Sequence, residues 1–229
     1  MGKIVLNAID IYKSYTNGAN RLNVLDKFSL PVMEGEIITI MGQSGSGKST
    51  ALNILGTLDK PDSGVLEING VNIDNLNEND ISSLRNKDLG FIFQFHHLLP
   101  ELTALENVMI PQMLNGLSQT ESEKRAKLLL EMVGLSDRAT HRPGLLSGGE
   151  QQRVAIARSV ANAPDILLAD EPTGNLDPET GETVFQSLQR IVHGTDTAAL
   201  IVTHNQKLAA KMDEILELEN GNIKRKQLP

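Results

Sequence analysis

The stretch from Gly42 to Thr50, GQSGSGKST, constrains the fold of this chain more than any other. It matches the pattern G-x-x-x-x-G-K-[ST] in full, and it follows an apolar segment, GEIITIMG, that predicts a buried strand. The residues that follow, KSTALNILGTL, have the apolar spacing of a helix. In such a strand–loop–helix unit, small residues let backbone N–H groups turn inward around phosphate oxygens, and the helix N-terminus adds its positive end. The sequence therefore predicts a sheet with a phosphate-binding loop at the end of one strand.

Every residue of this loop has a predicted role. Lys48 is expected to place its ammonium group on the β- and γ-phosphates of a nucleotide, and Ser49 is expected to offer its hydroxyl to Mg²⁺. The other members are expected to surround the phosphates, mainly through their backbone: Gly42, Gln43, Ser44, Gly45, Ser46, Gly47 and Thr50.

Short apolar segments alternate with helical patterns along the chain, which favours an α/β fold with a largely parallel sheet. Beyond the strand before the glycine-rich loop, apolar segments predict buried strands at 89–94, 163–170 and 197–204. Two Asn-Gly pairs, at 69–70 and 220–221, predict hairpins between strand-like pieces.

Helical signals dominate the middle of the chain. A capping box begins at Ser118, an amphipathic run follows it, and Gly134 is a suitable residue to end that helix. We therefore expect a single domain in which a helical subdomain over 95–159 is inserted between segments 1–94 and 160–229 of a nucleotide-binding α/β core.

Polar side chains stand at the ends of three predicted strands. Asp170 and Glu171 end one apolar segment, His204 ends the next, and Gln94 ends an earlier one. Because ligands of an open parallel sheet bind outside the carboxyl ends of its strands, these groups should meet the phosphate loop at one edge. We predict that Asp170 orders Mg²⁺, that Glu171 orients or deprotonates an attacking water, and that His204 contacts the γ-phosphate. Gln94 is a candidate ligand of Mg²⁺, although taken alone it also fits an ordinary loop residue, and His204 alone fits a structural histidine equally well.

A second glycine-rich helix start lies about a hundred residues after the first. Ser147 and Glu150 form a capping box around Gly148 and Gly149, so the simplest interpretation is a well-capped helix. However, two glycines in a first turn cost about 1 kcal/mol each relative to alanine. They provide bare backbone that a phosphate could approach, and one explanation is that this turn serves a nucleotide held by another copy of the chain.

Composition excludes several classes of function. The net charge of −8 argues against a nucleic-acid partner, because duplex binding usually needs a basic face. The chain has no cysteine, so disulfides, thiolate metal sites and thiol nucleophiles are absent. With 40% hydrophobic residues, a chain of 229 residues can bury a substantial core.

The stretch LSGGEQQRVAIAR resembles the signature motif of ATP-binding cassette (ABC) ATPases. Other motifs of that family follow in the same order along nearly the whole chain. They are Tyr15 as the aromatic residue that stacks on adenine, with Tyr12 as an alternative, then the phosphate loop, Gln94, the signature residues Ser147, Gly148, Gly149 and Glu150, the pair Asp170 and Glu171, GNLD with Asp177, and His204.

The resemblance implies a P-loop NTPase (RecA-like) core with an antiparallel β subdomain and an inserted α-helical subdomain. It implies hydrolysis of ATP with Mg²⁺, with Lys48, Glu171 and His204 as catalytic residues and Ser49, Gln94 and Asp170 at the metal. It also implies a homodimer on ATP binding, in which each γ-phosphate lies between the phosphate loop of one chain and the signature residues of the other.

A narrower resemblance concerns FQFHHLLPELTALENVMIP (93–111) together with ADEPTGNLD (169–177). These two stretches are similar to those of the subgroup that contains MacB-type exporters, FtsE and the lipoprotein-releasing ATPases. The similarity is greatest to the lipoprotein-releasing ATPases. It implies integral membrane permease subunits of the FtsX/MacB-like type and a peripheral position on the cytoplasmic face of the bacterial inner membrane. The alternatives are a MacB-like exporter, an FtsE-like complex, a soluble ABC protein without transport, and a nucleotide-binding scaffold without turnover.

Overall fold

The computed structural model describes residues 2–17, 20–195 and 197–226, which form two β-sheets and a set of helices. The strands are β1 (Ile4–Asn17), β2 (Asn20–Met33), β3 (Ile37–Met41), β4 (Ser63–Ile68), β5 (Val71–Asn72), β6 (Leu89–Ile92), β7 (Ile166–Asp170), β8 (Ala198–Val202), β9 (Glu214–Glu219) and β10 (Asn222–Arg225). The α-helices are α1 (Lys48–Leu55), α2 (Glu78–Asp88), α3 (Ala104–Leu114), α4 (Gln119–Met132), α5 (Gly148–Ser159), α6 (Pro178–Thr195) and α7 (Gln206–Ala209).

The larger sheet has the strand order β10-β9-β3-β8-β7-β6 and is parallel except for β10 at its edge. All residues of β3 and β8 are buried. Strands that are covered on both faces have continuous apolar sequences, so β3 and β8 could be predicted from the sequence. Parallel pairing places the carboxyl ends of β3, β7 and β8 at the same edge of the sheet, as predicted.

The smaller sheet is antiparallel with the order β2-β1-β4-β5, which confirms the expected antiparallel β subdomain. Its long first hairpin, β1 with β2, was not anticipated from the sequence. Leu6 and Phe28 of this hairpin are fully buried in the same apolar cluster as Ile54 of α1 and Ile38 of β3. The two sheets therefore share one apolar cluster, to which α1 also contributes.

Helices α3, α4 and α5 follow one another in the middle of the chain and pack together over a second apolar cluster. The capping box at Ser118 begins α4, and Gly134 follows its end with the left-handed φ of 70°. Helix α2 was not predicted, because Ile81 is its only buried residue and leaves no apolar stripe to detect. Within the part of the chain that the structure describes, no helix combines the length and apolar character needed to cross a membrane.

A glycine in β6 lies where helix α5 approaches the larger sheet closely enough to exclude a side chain. A Cβ built on Gly90 of β6 would lie 2.3 Å from the backbone oxygen of Ser159, at the end of α5, and 3.0 Å from Leu167 of β7. A backbone atom cannot move aside as a flexible side chain can. The close approach of α5 to the edge of the sheet therefore requires glycine at this position.

Gly90→Ala is expected to lower the free energy of unfolding by about 1–3 kcal/mol, the usual cost of overpacking a core. Gly144→Ala is the matched control, because nothing lies within 4 Å of a Cβ placed there. Denaturant unfolding of the two variants checks the prediction. Equal stability of the two would show that α5 can shift away from β6 without cost.

Candidate nucleotide site

The phosphate loop connects β3 to α1 as the sequence predicted. Gly47 precedes the helix with φ of 100°, a conformation that L side chains rarely adopt. A Cβ at Gly47 would also lie 2.8 Å from Val24 Cγ1, so this position excludes a side chain twice over. The ammonium group of Lys48 curls back over the loop and donates to the carbonyl oxygens of Gly42, over 2.9 Å, and Gln43, over 2.8 Å.

A cavity of about 500 Å³ opens above this loop and collects most of the predicted site residues. Its lining consists of Tyr15, Val24, Gly42, Ser44, Gly45, Gly47, Lys48, Ser49, Thr50, Gln94, Asp170, Glu171 and His204. Gln43 and Ser46 instead line a neighbouring cavity of about 590 Å³, between the loop and the β9–β10 hairpin. Val24 is the lining residue for which the sequence carried no signal, since it lies within a long strand.

Asp170 is the last residue of β7 and is partly buried beside Ser49 and Lys48. Burial raises the pKa of Asp170 above its ordinary value, and the neighbouring Glu171 carboxylate acts in the same direction. The hydroxyl of Ser49 and the ammonium of Lys48 oppose this shift. A partly buried carboxylate beside a second carboxylate would be stabilised as an anion by an additional cation such as a metal ion.

Glu171 is held in a strained conformation at the edge of the sheet. Its φ of 45° is unusual for a non-glycine residue and costs on the order of 1 kcal/mol. Its backbone N–H donates to the Val202 carbonyl oxygen over 2.9 Å, and its Oε1 accepts from His204 Nδ1 over 2.9 Å. Its Oε2 is buried and has no hydrogen-bond partner among the described residues. His204 thus orients the carboxylate through Oε1, and Oε2 is left without a hydrogen-bond partner among the described residues.

Gln94, two residues after β6, is tied to the segment that follows Glu171. Its Nε2 donates to Asn175 Oδ1 over 2.8 Å, and Asn175 Nδ2 donates back to the Gln94 carbonyl oxygen over 3.2 Å. These two hydrogen bonds use the amide nitrogen and the backbone carbonyl oxygen of Gln94. They do not use its side-chain oxygen, which is the atom that could ligate a metal. The sequence placed Asn175 within GNLD, but it gave no indication of this contact.

Tyr15 lies in the cavity, whereas Tyr12 lines a separate depression with Lys13 and Asp62. The geometry therefore favours Tyr15 as the aromatic residue of the site. Its hydroxyl donates to Asp59 Oδ2 over 2.7 Å. Asp59 follows α1 in a loop and was not singled out in the sequence.

The second glycine-rich turn begins α5, with Ser147 as its N-cap. Ser147 N donates to Glu150 Oε2 over 2.8 Å, and Glu150 N donates to Ser147 Oγ over 3.3 Å, which confirms the capping box. Arg138 Nε adds a bond to Glu150 Oε1 over 3.0 Å. The backbone bond from Ser147 is the main reason that the pKa of Glu150 falls to about 2, and the Arg138 guanidinium adds to it. The Glu150 carboxylate is therefore occupied by the cap of its own helix and by Arg138.

The two glycines of this turn differ in their surroundings. Gly148 is exposed, and a Cβ there would make only an ordinary contact with Leu176 at 3.5 Å. Gly149 is buried, and a Cβ there would lie 2.3 Å from Thr180 Cγ2 on α6. The expectation that both glycines provide bare backbone needs a correction, since Gly149 is required by the packing of α5 against α6.

Neither Ser147 nor its glycines line the cavity above the phosphate loop. Asp177 is also outside it, and its carboxylate caps α6 by accepting from the backbone N–H groups of Glu179, over 3.2 Å, and Thr180, over 3.0 Å. These hydrogen bonds hold the pKa of Asp177 below its usual range, with the bonds from Thr180 contributing most.

Comparison with known proteins places this site in a family. The sequence profile described as "ABC transporter" matches residues 25–174. The chain is 52% identical, over 93% of its length and 92% of the relative, to the lipoprotein-releasing system ATP-binding protein LolD of Nitrobacter winogradskyi. It is 48% identical to the protein of the same name from Legionella pneumophila, over 97% and 98% of the two chains.

Solved structures agree with these relatives. The chain superposes with a TM-score of 0.88, at 40% identity and 97% coverage of both chains, on a dimeric post-hydrolysis state of the ATP-binding cassette MJ0796 bound to ADP and Pi. A second dimeric structure of that bacterial ABC transporter cassette gives the same TM-score at 41% identity, over 96% and 97% of the two chains. The phosphate loop, the carboxylate pair at the sheet edge and these likenesses together show that the chain belongs to the ABC transporter family.

Proposed function

We propose that this chain is the ATP-hydrolysing subunit of an ABC transport complex that releases lipoproteins from the bacterial inner membrane. The relatives that are about half identical over nearly the whole chain carry the name of a lipoprotein-releasing system ATP-binding protein. The observation that carries the hydrolytic role is the Glu171 carboxylate, which is oriented by His204 and keeps one buried oxygen without a partner among the described residues.

Hydrolysis of ATP requires an in-line attack of water on the γ-phosphate, and most of the catalysis comes from positioning and electrostatics. The Glu171 carboxylate would accept a hydrogen bond from the attacking water and orient it. His204 would keep the carboxylate in place through Nδ1 and would present the other side of its exposed ring to the γ-phosphate. Lys48 would exchange its two carbonyl partners for the β- and γ-phosphate oxygens.

The residues at the edge of the sheet fit a magnesium ion. Mg²⁺ prefers oxygen ligands and usually takes one or two from the protein and the others from phosphates and water. Ser49 and Asp170 lie side by side in the cavity, and Gln94, whose side chain carries an amide oxygen, also lines it. No group of three or more acidic or histidine side chains that could hold a metal ion occurs in the described ranges. When bound, the ion would neutralise phosphate charge, and Asp170 and Ser49 would hold it.

The proposed active form is a head-to-tail dimer on ATP. Ser147 and Gly148 are exposed at the start of α5 and lie outside the cavity of their own chain. Their backbone N–H groups and the Ser147 hydroxyl would bind the γ-phosphate held by the partner chain, with Gly149 completing the turn. Asp177 would lie at the same interface. The similarity to dimeric cassettes, one of them bound to ADP and Pi, supports this arrangement.

The membrane partners are proposed to be integral permease subunits of the FtsX/MacB-like type. Phe95 is 69% exposed and Leu99 is 43% exposed, and both follow Gln94 in the chain. An apolar surface beside Gln94 could receive a segment of the permease and transmit its movement to the nucleotide site. The chain would then act as a peripheral protein on the cytoplasmic face of the inner membrane.

Glu171→Gln tests the hydrolytic role. The amide cannot take a proton from water, so hydrolysis should slow by roughly 10²–10⁴-fold while ATP binding is retained. A dimer should accumulate with ATP on gel filtration. Glu179→Gln, an exposed carboxylate in the first turn of α6, is the control and should hydrolyse ATP normally. Hydrolysis by Glu171→Gln at the normal rate would refute the role of Glu171.

Ser147→Arg tests the dimer. The variant loses an N-cap, which costs about 1 kcal/mol, and it places a bulky cation where the partner's nucleotide should bind. Ser118→Arg is the matched control, because Ser118 caps α4 through the same kind of capping box. We expect Ser147→Arg to bind ATP as a monomer and to fail to dimerise in the Glu171→Gln background, whereas Ser118→Arg dimerises. Loss of nucleotide binding by the Ser147→Arg monomer would contradict the arrangement in trans.

Phe95→Asp tests the permease surface. A charge in the docking surface should sharply reduce co-purification with the membrane subunits, while hydrolysis by the isolated chain is unchanged. Val71→Asp, which alters an exposed apolar residue of the smaller sheet, is the control. If both variants co-purify equally with the permease, the docking surface is elsewhere.

A further inference from the structure

The side chain of Asp59 accepts several hydrogen bonds beside the cavity. Its Oδ2 accepts from the Tyr15 hydroxyl over 2.7 Å, and its Oδ1 accepts from Lys13 Nζ over 2.8 Å and from the Lys60 backbone N–H over 2.7 Å. Burial acts to raise the pKa of Asp59, but the bonds from Lys13, Tyr15 and Lys60 outweigh it, and the pKa is lowered. Asp59 is therefore a carboxylate at neutral pH and a strong acceptor for the Tyr15 hydroxyl.

Helix α1 connects Asp59 to the phosphate loop. The backbone N–H groups of Leu58 and Asp59 both donate to the Asn53 carbonyl oxygen in the last turns of α1, over 2.8 and 3.2 Å. Lys48 begins the same helix. A single rigid element thus carries the phosphate-binding loop at its N-terminus and the partner of Tyr15 just beyond its C-terminus, so it fixes the distance from the aromatic ring to the phosphates.

The ring of Tyr15 offers one face to a planar ligand. Lys13 Nζ lies 5.2 Å from the ring centroid and covers the other face as a cation–π contact. Tyr15 as a whole is 44% exposed, and it lines the cavity together with Thr50, at the end of the phosphate loop. Because its hydroxyl donates to Asp59, the ring is fixed by a hydrogen bond that does not involve any ligand.

We propose that Asp59 is a positioning residue for the nucleotide base, which it serves by holding Tyr15 at a set height above the phosphate loop. This inference rests on the proposed ATP site. A preorganised ring loses less rotamer freedom when a base stacks on it, so the nucleotide binds more tightly. The rate of hydrolysis at the phosphates is unaffected. Since the Tyr15 hydroxyl is occupied by Asp59, it does not read base edges, and the gain applies to adenine and guanine alike.

Asp59→Ala and Tyr15→Phe should each raise KM for ATP roughly two- to tenfold, in line with the usual cost of ordering one side chain on binding, and should leave kcat at saturating ATP within about twofold. KM for GTP should rise by a similar factor, and affinity for tripolyphosphate, which has no base, should be unchanged. The double variant should be no worse than either single one, because both remove the same hydrogen bond. A normal KM for both single variants would overturn the proposal.

Asp62→Ala is the matched control. Asp62 lies in the same loop and anchors the same strand, since its Oδ2 accepts from the backbone N–H of Ser14 over 2.9 Å and from its hydroxyl over 2.6 Å, but it does not contact Tyr15. A KM for ATP raised equally by Asp62→Ala and Asp59→Ala would show that anchoring of β1 is responsible, and it would overturn the specific role of Asp59.

Titration of Tyr15 provides a second readout of the bond to Asp59, and Asp62→Ala controls for loosening of the fold around the ring. The chain has two tyrosines and no tryptophan, so in a Tyr12→Phe background ultraviolet absorbance reports Tyr15 alone. Burial, followed by the bond to Asp59, raises the pKa of Tyr15. Asp59→Ala should therefore lower the midpoint of tyrosinate formation, whereas Asp62→Ala should not. An unchanged midpoint in Asp59→Ala would overturn the proposal.

Tyr15→Ala separates this proposal from the proposed ATP site. If Tyr15→Ala raises KM for ATP while Tyr15→Phe and Asp59→Ala do not, Tyr15 binds the base without help from Asp59, and only the present inference fails. If Tyr15→Ala leaves KM for ATP unchanged, Tyr15 is not the base platform, and that part of the proposed function fails as well.

Discussion

The parallel pairing of β3, β8 and β7 is the constraint on which the site depends. It aligns the carboxyl ends of strands that are distant in sequence, and it brings Lys48, Asp170, Glu171 and His204 to one cavity. The direct contact between Glu171 and His204 follows from the register of β7 with β8, since Asp170 pairs with Val202 and each functional residue follows shortly after. A shift of one residue in this register would separate the carboxylate from the imidazole.

Helix α5 links this cavity to the exposed turn at Ser147. Arg158, near its end, donates to the carbonyl oxygens of His97 over 2.7 Å and His96 over 2.8 Å, and Gln152 donates to the Phe93 carbonyl oxygen over 3.3 Å. These bonds attach α5 to the segment on either side of Gln94. The turn proposed to meet the partner's nucleotide and the glutamine that lines the chain's own cavity therefore belong to one connected unit.

The sequence predicted the α/β class, the phosphate loop, the buried strands, both Asn-Gly hairpins and the capped starts of α4 and α5. These features succeed because each depends on local chemistry: a complete motif, a continuous apolar run, or a cap within one turn. Helix α2 and the long β1–β2 hairpin were missed, because α2 has a single buried residue and the pairing of β1 depends on distant residues. The roles assigned to the site residues remain predictions, although the structure brings most of them to one cavity.

By itself, the sequence determined which polar and charged groups this protein carries at the end of its larger sheet, since the motif residues at 42–50, 170–171 and 204 follow strands that their own apolar runs define. Only the tertiary structure decided how those groups are oriented. Three features arise from contacts between elements far apart in the chain. They are the Glu171 oxygen that has no hydrogen-bond partner among the described residues, the close packing that requires glycine at position 149, and the hydrogen bond from Tyr15 to Asp59. Such contacts are fixed by the packing of helices and sheets around a shared core, and no local pattern encodes them.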